Sequence, residues 1–248
     1  MNKFGMTVLS ALMLSGCVTV PPSSELFEET QIETSSNFPI AIWEKKGIQK
    51  GKNLRLYFEG DGNPNPRHAI AFDFAQRDTS PNVIYISRPC QWIKHKVCDQ
   101  NPEIYRSARF HPEIMLEMKE LIQYLMRKYQ APMVELIGYD GGAVLALNMA
   151  TKVPTSRIIT IAGITDIDAY NELHNLPEAN PEDQENPTEN LFLLAGIPQI
   201  HYTGQDDNVT PRNLVERFVR RMKNPKSAIV KSVPDTDHIN WEGVQLDY

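Results

Sequence analysis

Apolar and polar residues recur along this chain at two periods, and each change of period marks an element. From Phe38 the pattern is that of a strand, with Ile40 and Ile42 on one face and Lys45, Lys46 and Gly47 closing it in a turn. A second strand is predicted over 53–59, where Leu54, Leu56 and Phe58 share a face. Residues 68–76 predict a short helix. The run NVIYIS over 82–87 is continuously apolar, as in strands buried on both faces of a parallel sheet. Over 112–129 the period becomes helical, with Ile114, Met115, Met118, Leu121, Ile122, Leu125 and Met126 on one face and charge between them. The methionines there are packing residues and imply no cofactor. A strand over 133–139, a helix over 143–151 and a strand over 157–162 follow. From 163 the pattern breaks up, with Pro177, Pro181 and Pro187 among acidic and amide residues, which predicts a small cap or long loop over 164–198. Regularity returns with a strand over 199–203. A helix then starts at Pro211 with Leu214, Val215, Phe218, Val219 and Met222 inward, before a last strand over 227–233. Strands and helices in this alternation make an α/β protein with a mostly parallel sheet.

The chain has 248 residues, 41% of them hydrophobic, enough for one sizeable core, so a single domain is expected over 38–248. Its net charge of −6 comes without any basic stripe, which argues against nucleic acid as a partner. The short basic run over 217–223 reads as the solvated face of a helix.

Residues 1–16 read as an export signal: Lys3, an apolar run from Met6 to Leu14 too short to span a bilayer, then Ser15 and Gly16 before Cys17. Leu14-Ser15-Gly16-Cys17 resembles the bacterial lipobox, and the resemblance implies cleavage before Cys17 and a lipid on its thiol, palmitate included. The alternative is an ordinary cleaved signal or a short anchor. Val18 after Cys17, in place of Asp, implies sorting to the outer membrane, facing the periplasm. Residues 17–37 hold too few apolar positions to bury and read as lipid attachment followed by a flexible tether. With Cys17 lipidated and the chain outside the cytoplasm, Cys90 and Cys98 are the pair left to form a disulfide, stapling the loop that carries Gln91, Trp92 and His95. A two-cysteine metal site with His95 lacks enough ligands, so no metal is expected. Trp92 either lines a pocket or fills a local apolar gap.

The stretch VELIGYDGGAVLALN, residues 134–148, runs from an apolar strand through Gly138-Tyr139-Asp140-Gly141-Gly142 into an apolar helix. A glycine-flanked residue on so sharp a turn is pushed out above the sheet, often with positive φ, which Asp tolerates better than most residues. Downstream, Asp206 and Asp207 close the 199–203 strand, and His238 follows the last strand. Strand, G-x-nucleophile-x-G and helix, then an acid, then His, resemble the α/β-hydrolase family. Its usual nucleophile is Ser, and here the position holds Asp140.

The resemblance implies an α/β-hydrolase fold, a mostly parallel sheet flanked by helices with a small cap, and a triad of Asp140, Asp207 and His238, with Asp206 as the alternative acid. It implies an oxyanion hole from the N–H of Gly141 and one from Asp61 or Gly62, in the loop that follows the 53–59 strand. That loop also spaces Asp61, Asn63 and Asn65 like a calcium loop. Pro66 and Phe72 stand where Gly and Glu are required, so calcium is not expected. His174 and Tyr170 in the cap are surface residues by default, with a substrate-facing role as the alternative.

A carboxylate at the elbow would already be ionised near neutral pH. Its attack on an ester carbonyl would give a reactive anhydride, whereas displacement at a saturated carbon gives an alkyl ester that a His-activated water hydrolyses. Haloalkane dehalogenases and epoxide hydrolases, relatives with an Asp elbow, are understood to work in this way. They typically carry Trp after the Asp, where this chain has Gly141. Two classes follow: a hydrolase of a small substrate using Asp140, Asp207 and His238 without cofactor, and a non-catalytic lipoprotein that keeps the fold to bind a small ligand.

Overall fold

The computed structural model describes residues 24–33, 38–60, 69–93, 95–100, 110–178, 180, 182–223 and 227–248. Among them one sheet contains β1 (Phe27–Glu33), β2 (Pro39–Lys45), β3 (Leu54–Phe58), β4 (Val83–Ile86), β5 (Val134–Tyr139), β6 (Thr155–Ile161), β7 (Gln199–Gly204) and β8 (Ala228–Val233). Their order is β1-β2-β4-β3-β5-β6-β7-β8. From β4 to β8 every pairing is parallel, and β2 with β1 adds an antiparallel edge.

Helices cover both faces. α3 (Pro112–Tyr129), α4 (Gly142–Ala150) and α7 (Arg212–Arg221) press Met118, Leu145 and Phe218 onto Leu56, Leu136 and Ile158. On the other face α1 (Ile70–Arg77) sets Phe72 and Phe74 against Tyr57, Tyr85 and Ile137. There the C-terminal segment adds Trp241 and Leu246. All nine residues of α4 are buried, which explains its apolarity on every side, whereas α3 keeps a solvent face.

One expectation is corrected. The segment expected to be a tether as far as 37 contains β1, hydrogen-bonded along its length to β2, with Phe27 buried and its ring 5.3 Å from that of Phe72. The polar sequence FEETQIE hides this strand because an edge strand draws most of its stability from the backbone ladder. Residues 1–23, including Cys17, lie outside the described residues.

The predicted cap folds as α5 (Ile167–Leu173), a 3₁₀ turn (Pro187–Asn190) and α6 (Leu191–Leu194). Asp166 ties it down: its carboxylate accepts from Ala169 N–H at the start of α5 and pairs with Arg221 of α7 at 2.9 Å. Cys90 and Cys98 form a disulfide across the loop after β4, at the entry to α2 (Lys96–Gln100). Trp92 in that loop is partly buried against the apolar cluster on the α1 face, which is the gap-filling role.

Candidate active site

The sharp turn between β5 and α4 requires its glycines. A Cβ on Gly138 would lie 2.2 Å from the Gly142 carbonyl oxygen, and one on Gly142 would lie 2.3 Å from the Phe58 carbonyl oxygen. Both contacts are to backbone, so neither can relax cheaply. Gly138→Ala is therefore expected to destabilise the fold by roughly 2–3 kcal/mol, read as a lower midpoint in chemical denaturation, and a midpoint equal to that of the parent would contradict this packing.

Between these glycines Asp140 adopts φ 49°. Its N–H donates to the Ile161 carbonyl at 3.1 Å, and its own carbonyl accepts from Ala143 N–H at 3.0 Å and Ile164 N–H at 3.1 Å. The left-handed residue is thus held by the neighbouring strand and by the helix it opens. Gly141 is the N-cap of α4, at the positive end of the helix dipole. Gly60, at the end of β3, closes the other side: a Cβ there would lie 2.8 Å from Asp140 Oδ2. The backbone thus packs directly on the carboxyl group. Asp61 and Gly62, the expected second oxyanion donors, lie outside the described residues.

Glu59 anchors this corner. Its buried carboxylate accepts from Gly60 N–H at 3.1 Å, Ala71 N–H at 3.5 Å and the Tyr85 hydroxyl at 3.1 Å. Burial pushes its pKa up to about 7, against the downward pull of those donors.

His238 sits between two carboxylates. Its Nδ1 is 3.1 Å from Asp207 Oδ2, and its Nε2 is 3.5 Å from Asp140 Oδ1. Burial alone would lower its pKa, but Asp140 and Asp207 outweigh it and raise the imidazole to about 9. The raised pKa favours the imidazolium at neutral pH, hydrogen-bonded through Nδ1 to Asp207 and ion-paired through Nε2 with Asp140.

The structure brings Asp207, not Asp206, to the imidazole. The Asp207 side chain is turned inward, where Oδ1 accepts from Val209 N–H at 2.8 Å and Thr210 N–H at 2.9 Å. Oδ2 accepts from the Thr210 hydroxyl at 2.8 Å in addition to His238. Burial pushes this carboxyl up, yet the His238 and Thr210 hydrogen bonds outweigh it and hold the pKa below its ordinary value. Asp206 is exposed, with its N–H donated to the Thr236 carbonyl.

Two residues that the sequence reading passed over hold the backbone of His238. The Tyr139 hydroxyl donates to the His238 carbonyl at 3.0 Å, and the Trp241 indole N–H donates to the same oxygen at 2.9 Å. The Tyr139 ring also lies 5.4 Å from the imidazole. An aromatic immediately before the elbow and a Trp three residues after the His were the available signals, but neither has meaning until the fold brings them together. The His174 ring of the cap packs at a tilt against Tyr170, centroids 4.4 Å apart, and its Nε2 lies 2.8 Å from the Val209 carbonyl oxygen. It thus ties the cap to the loop that carries Asp207.

No protein-family model and no curated protein sequence matches the chain. Its shape does match solved structures. An esterase of Pyrococcus furiosus superposes with a TM-score of 0.60 at 15% identity, covering 90% of this chain and 91% of that one. An α/β serine hydrolase homologue from Coxiella burnetii gives 0.58 at 15% identity, over 87% and 90% of the two chains. Thermogutta terrifontis esterase 2, phosphoramylated by tabun in its structure, gives 0.58 at 14% identity, over 89% and 87%. The chain has the α/β-hydrolase fold, with a mostly parallel sheet and flanking helices.

Proposed function

We propose that this chain is a hydrolase of a small substrate that works through an ester formed on Asp140. The observation that carries the reading is His238 held between Asp140 at 3.5 Å and Asp207 at 3.1 Å, at the strand ends where the elbow presents its carboxylate. The hydrolase-fold neighbours support the reaction class, and the carboxylate selects the chemistry within it.

Asp140 attacks a saturated carbon. A C–O bond forms while the bond to the leaving group breaks, and its electron pair departs with that group. Esterification removes the negative charge of Asp140, so His238 loses one of the two anions that keep it protonated. Its pKa falls, the imidazolium gives up its proton to the departed leaving group or to solvent, and the neutral ring becomes a base. Asp207 holds Nδ1–H and so leaves Nε2 free to take a proton from water as that water attacks the ester carbonyl. The N–H of Gly141 faces the oxyanion formed on Asp140. Collapse releases the alcohol and restores the carboxylate. His238 thus serves as base only after the nucleophile has been consumed.

The water oxygen in this scheme enters Asp140, and the product carries away an oxygen of the enzyme. A single turnover in oxygen-18 water is therefore expected to label the peptide containing Asp140 and to leave the first product unlabelled. Label found directly in the first product would assign the attack to water and overturn the ester.

Gly141, in place of the Trp typical of relatives with an Asp elbow, favours a second reading, a binding lipoprotein with a degenerate site. Absence of turnover and of any Asp140 adduct in the folded protein selects it. Under either reading the lipobox-like residues 14–17 support anchoring through a lipid on Cys17 in the cell envelope, probed by the mass of the N-terminal peptide. The Cys90–Cys98 disulfide suits a compartment outside the cytoplasm.

A further inference from the structure

The cap grips the site at two backbone carbonyls. At the elbow, Ile164 N–H donates to the Asp140 carbonyl at 3.1 Å. At the end of α5, the half-buried ring of His174 sets its Nε2 2.8 Å from the Val209 carbonyl oxygen. A carbonyl only accepts, so this bond requires a proton on Nε2 of His174. The ring has little freedom to leave. It packs on Tyr170, and α5 is fixed at its start by Asp166, whose carboxylate pairs with Arg221.

The Val209 carbonyl is one half of a peptide group whose other half is the N–H of Thr210, and that N–H donates to Asp207 Oδ1 at 2.9 Å. Asp207 Oδ2 in turn faces His238 Nδ1 at 3.1 Å, and His238 Nε2 faces Asp140 at 3.5 Å. A single planar peptide therefore stands between His174 and the triad acid. A donor on its oxygen polarises the amide, strengthens its N–H as a donor and fixes the plane in which that N–H points. Val209 N–H and the Thr210 hydroxyl, the other donors of this turn to Asp207, flank the same peptide and shift with it.

We propose that His174 is a positioning residue of this site: acting through the Val209–Thr210 peptide, its ring holds the Asp207 carboxylate against His238. The cap is thereby coupled to the triad, because a displacement of α5 reaches the imidazole through a continuous series of hydrogen bonds. The consequence for turnover rests on the reaction proposed above, and the consequence for the His238 proton does not.

The test compares His174→Leu and His174→Gln in the full chain, by NMR titration of the His238 imidazole and by steady-state kinetics with bromobutane and styrene oxide. Leu fills the place of the ring without a donor, whereas the Gln amide can set an N–H near the position of Nε2. The His238 midpoint is about 9 in the parent; in His174→Leu its acid constant is expected to rise roughly tenfold, and kcat to fall roughly tenfold at an unchanged KM. His174→Gln should recover most of both. Ile158→Val, which trims the core without touching this series of bonds, should lower the denaturation midpoint and change neither. A His238 midpoint in folded His174→Leu equal to that of the parent overturns the proposal. So does the same shift in Ile158→Val, or a shift that His174→Gln leaves unrepaired, since either assigns the effect to loosened packing rather than to the donor on Val209. A parent without turnover would refute the ester on Asp140 and leave the titration to decide the role of His174.

Discussion

Asp140→Asn is expected to bring the His238 imidazolium down from about 9 toward its ordinary 6.5 and to abolish turnover, while the fold survives. The carboxamide keeps the shape of the side chain and removes its charge, so Asp207 alone is left to oppose the effect of burial. Loss of the nucleophile should cost on the order of 10³-fold or more in rate. Imidazole titration by NMR reads the first effect directly. A denaturation series reads it through stability. The folded pKa of His238 lies above the unfolded value, so its contribution is complete below about pH 6.5 and lost as pH rises through about 9. A shift of this size corresponds to roughly 3 kcal/mol. Between about pH 6 and about pH 10 the parent should lose more stability than Asp140→Asn by an amount of that order. Equal slopes for the two proteins would mean that Asp140 does not hold the proton on His238. The Asn variant also imitates the esterified enzyme, in which the position is occupied but uncharged, so its imidazole pKa measures how far the base is released after the first step.

Asp140→Ser is expected to convert the site to acyl transfer. The hydroxyl would leave the same Cβ, on the same left-handed turn at φ 49°, with His238 Nε2 on the side where it now meets Oδ1 at 3.5 Å. With one carboxylate gone, the imidazole is neutral near pH 7 and held by Asp207 in the tautomer that a serine nucleophile requires. The variant should be labelled by a fluorophosphonate at position 140 and should hydrolyse p-nitrophenyl acetate, with a gain over the parent of roughly 10²-fold or more. A folded variant that resists the fluorophosphonate would show that the imidazole or the Gly141 N–H is misdirected for carbonyl chemistry.

Where local pattern and tertiary role coincide, the sequence was readable. α3 has the bounds its helical period predicts, because the apolar stripe that defines the helix is also its buried face. The elbow was readable because two glycines at fixed spacing record two backbone contacts, Gly138 on Gly142 and Gly142 on Phe58. What escaped depends on contacts between distant segments. β1 is held by its ladder to β2, and FEETQIE carries no alternation to reveal it. Gly60 reads as an ordinary loop glycine until Asp140 arrives against it. Asp206 stood in sequence as the alternative to Asp207, and the turn that points Asp207 inward separates them. Thr210 carries no signal in the sequence, yet its hydroxyl donates to Asp207 and helps to hold that turn. Tyr139 and Trp241 lie about a hundred residues apart and converge on one carbonyl oxygen.

The most direct measurement of the central claim is the intact and peptide mass of His238→Ala after exposure to haloalkanes, epoxides and activated esters. Without the imidazole, the first displacement can proceed and the hydrolysis cannot. The account predicts a stable adduct on Asp140 from a haloalkane or epoxide, accumulating in His238→Ala and absent from the parent protein, which turns it over. Neither adduct nor turnover in either protein, with both correctly folded, would contradict it and leave a binding protein built on a hydrolase fold.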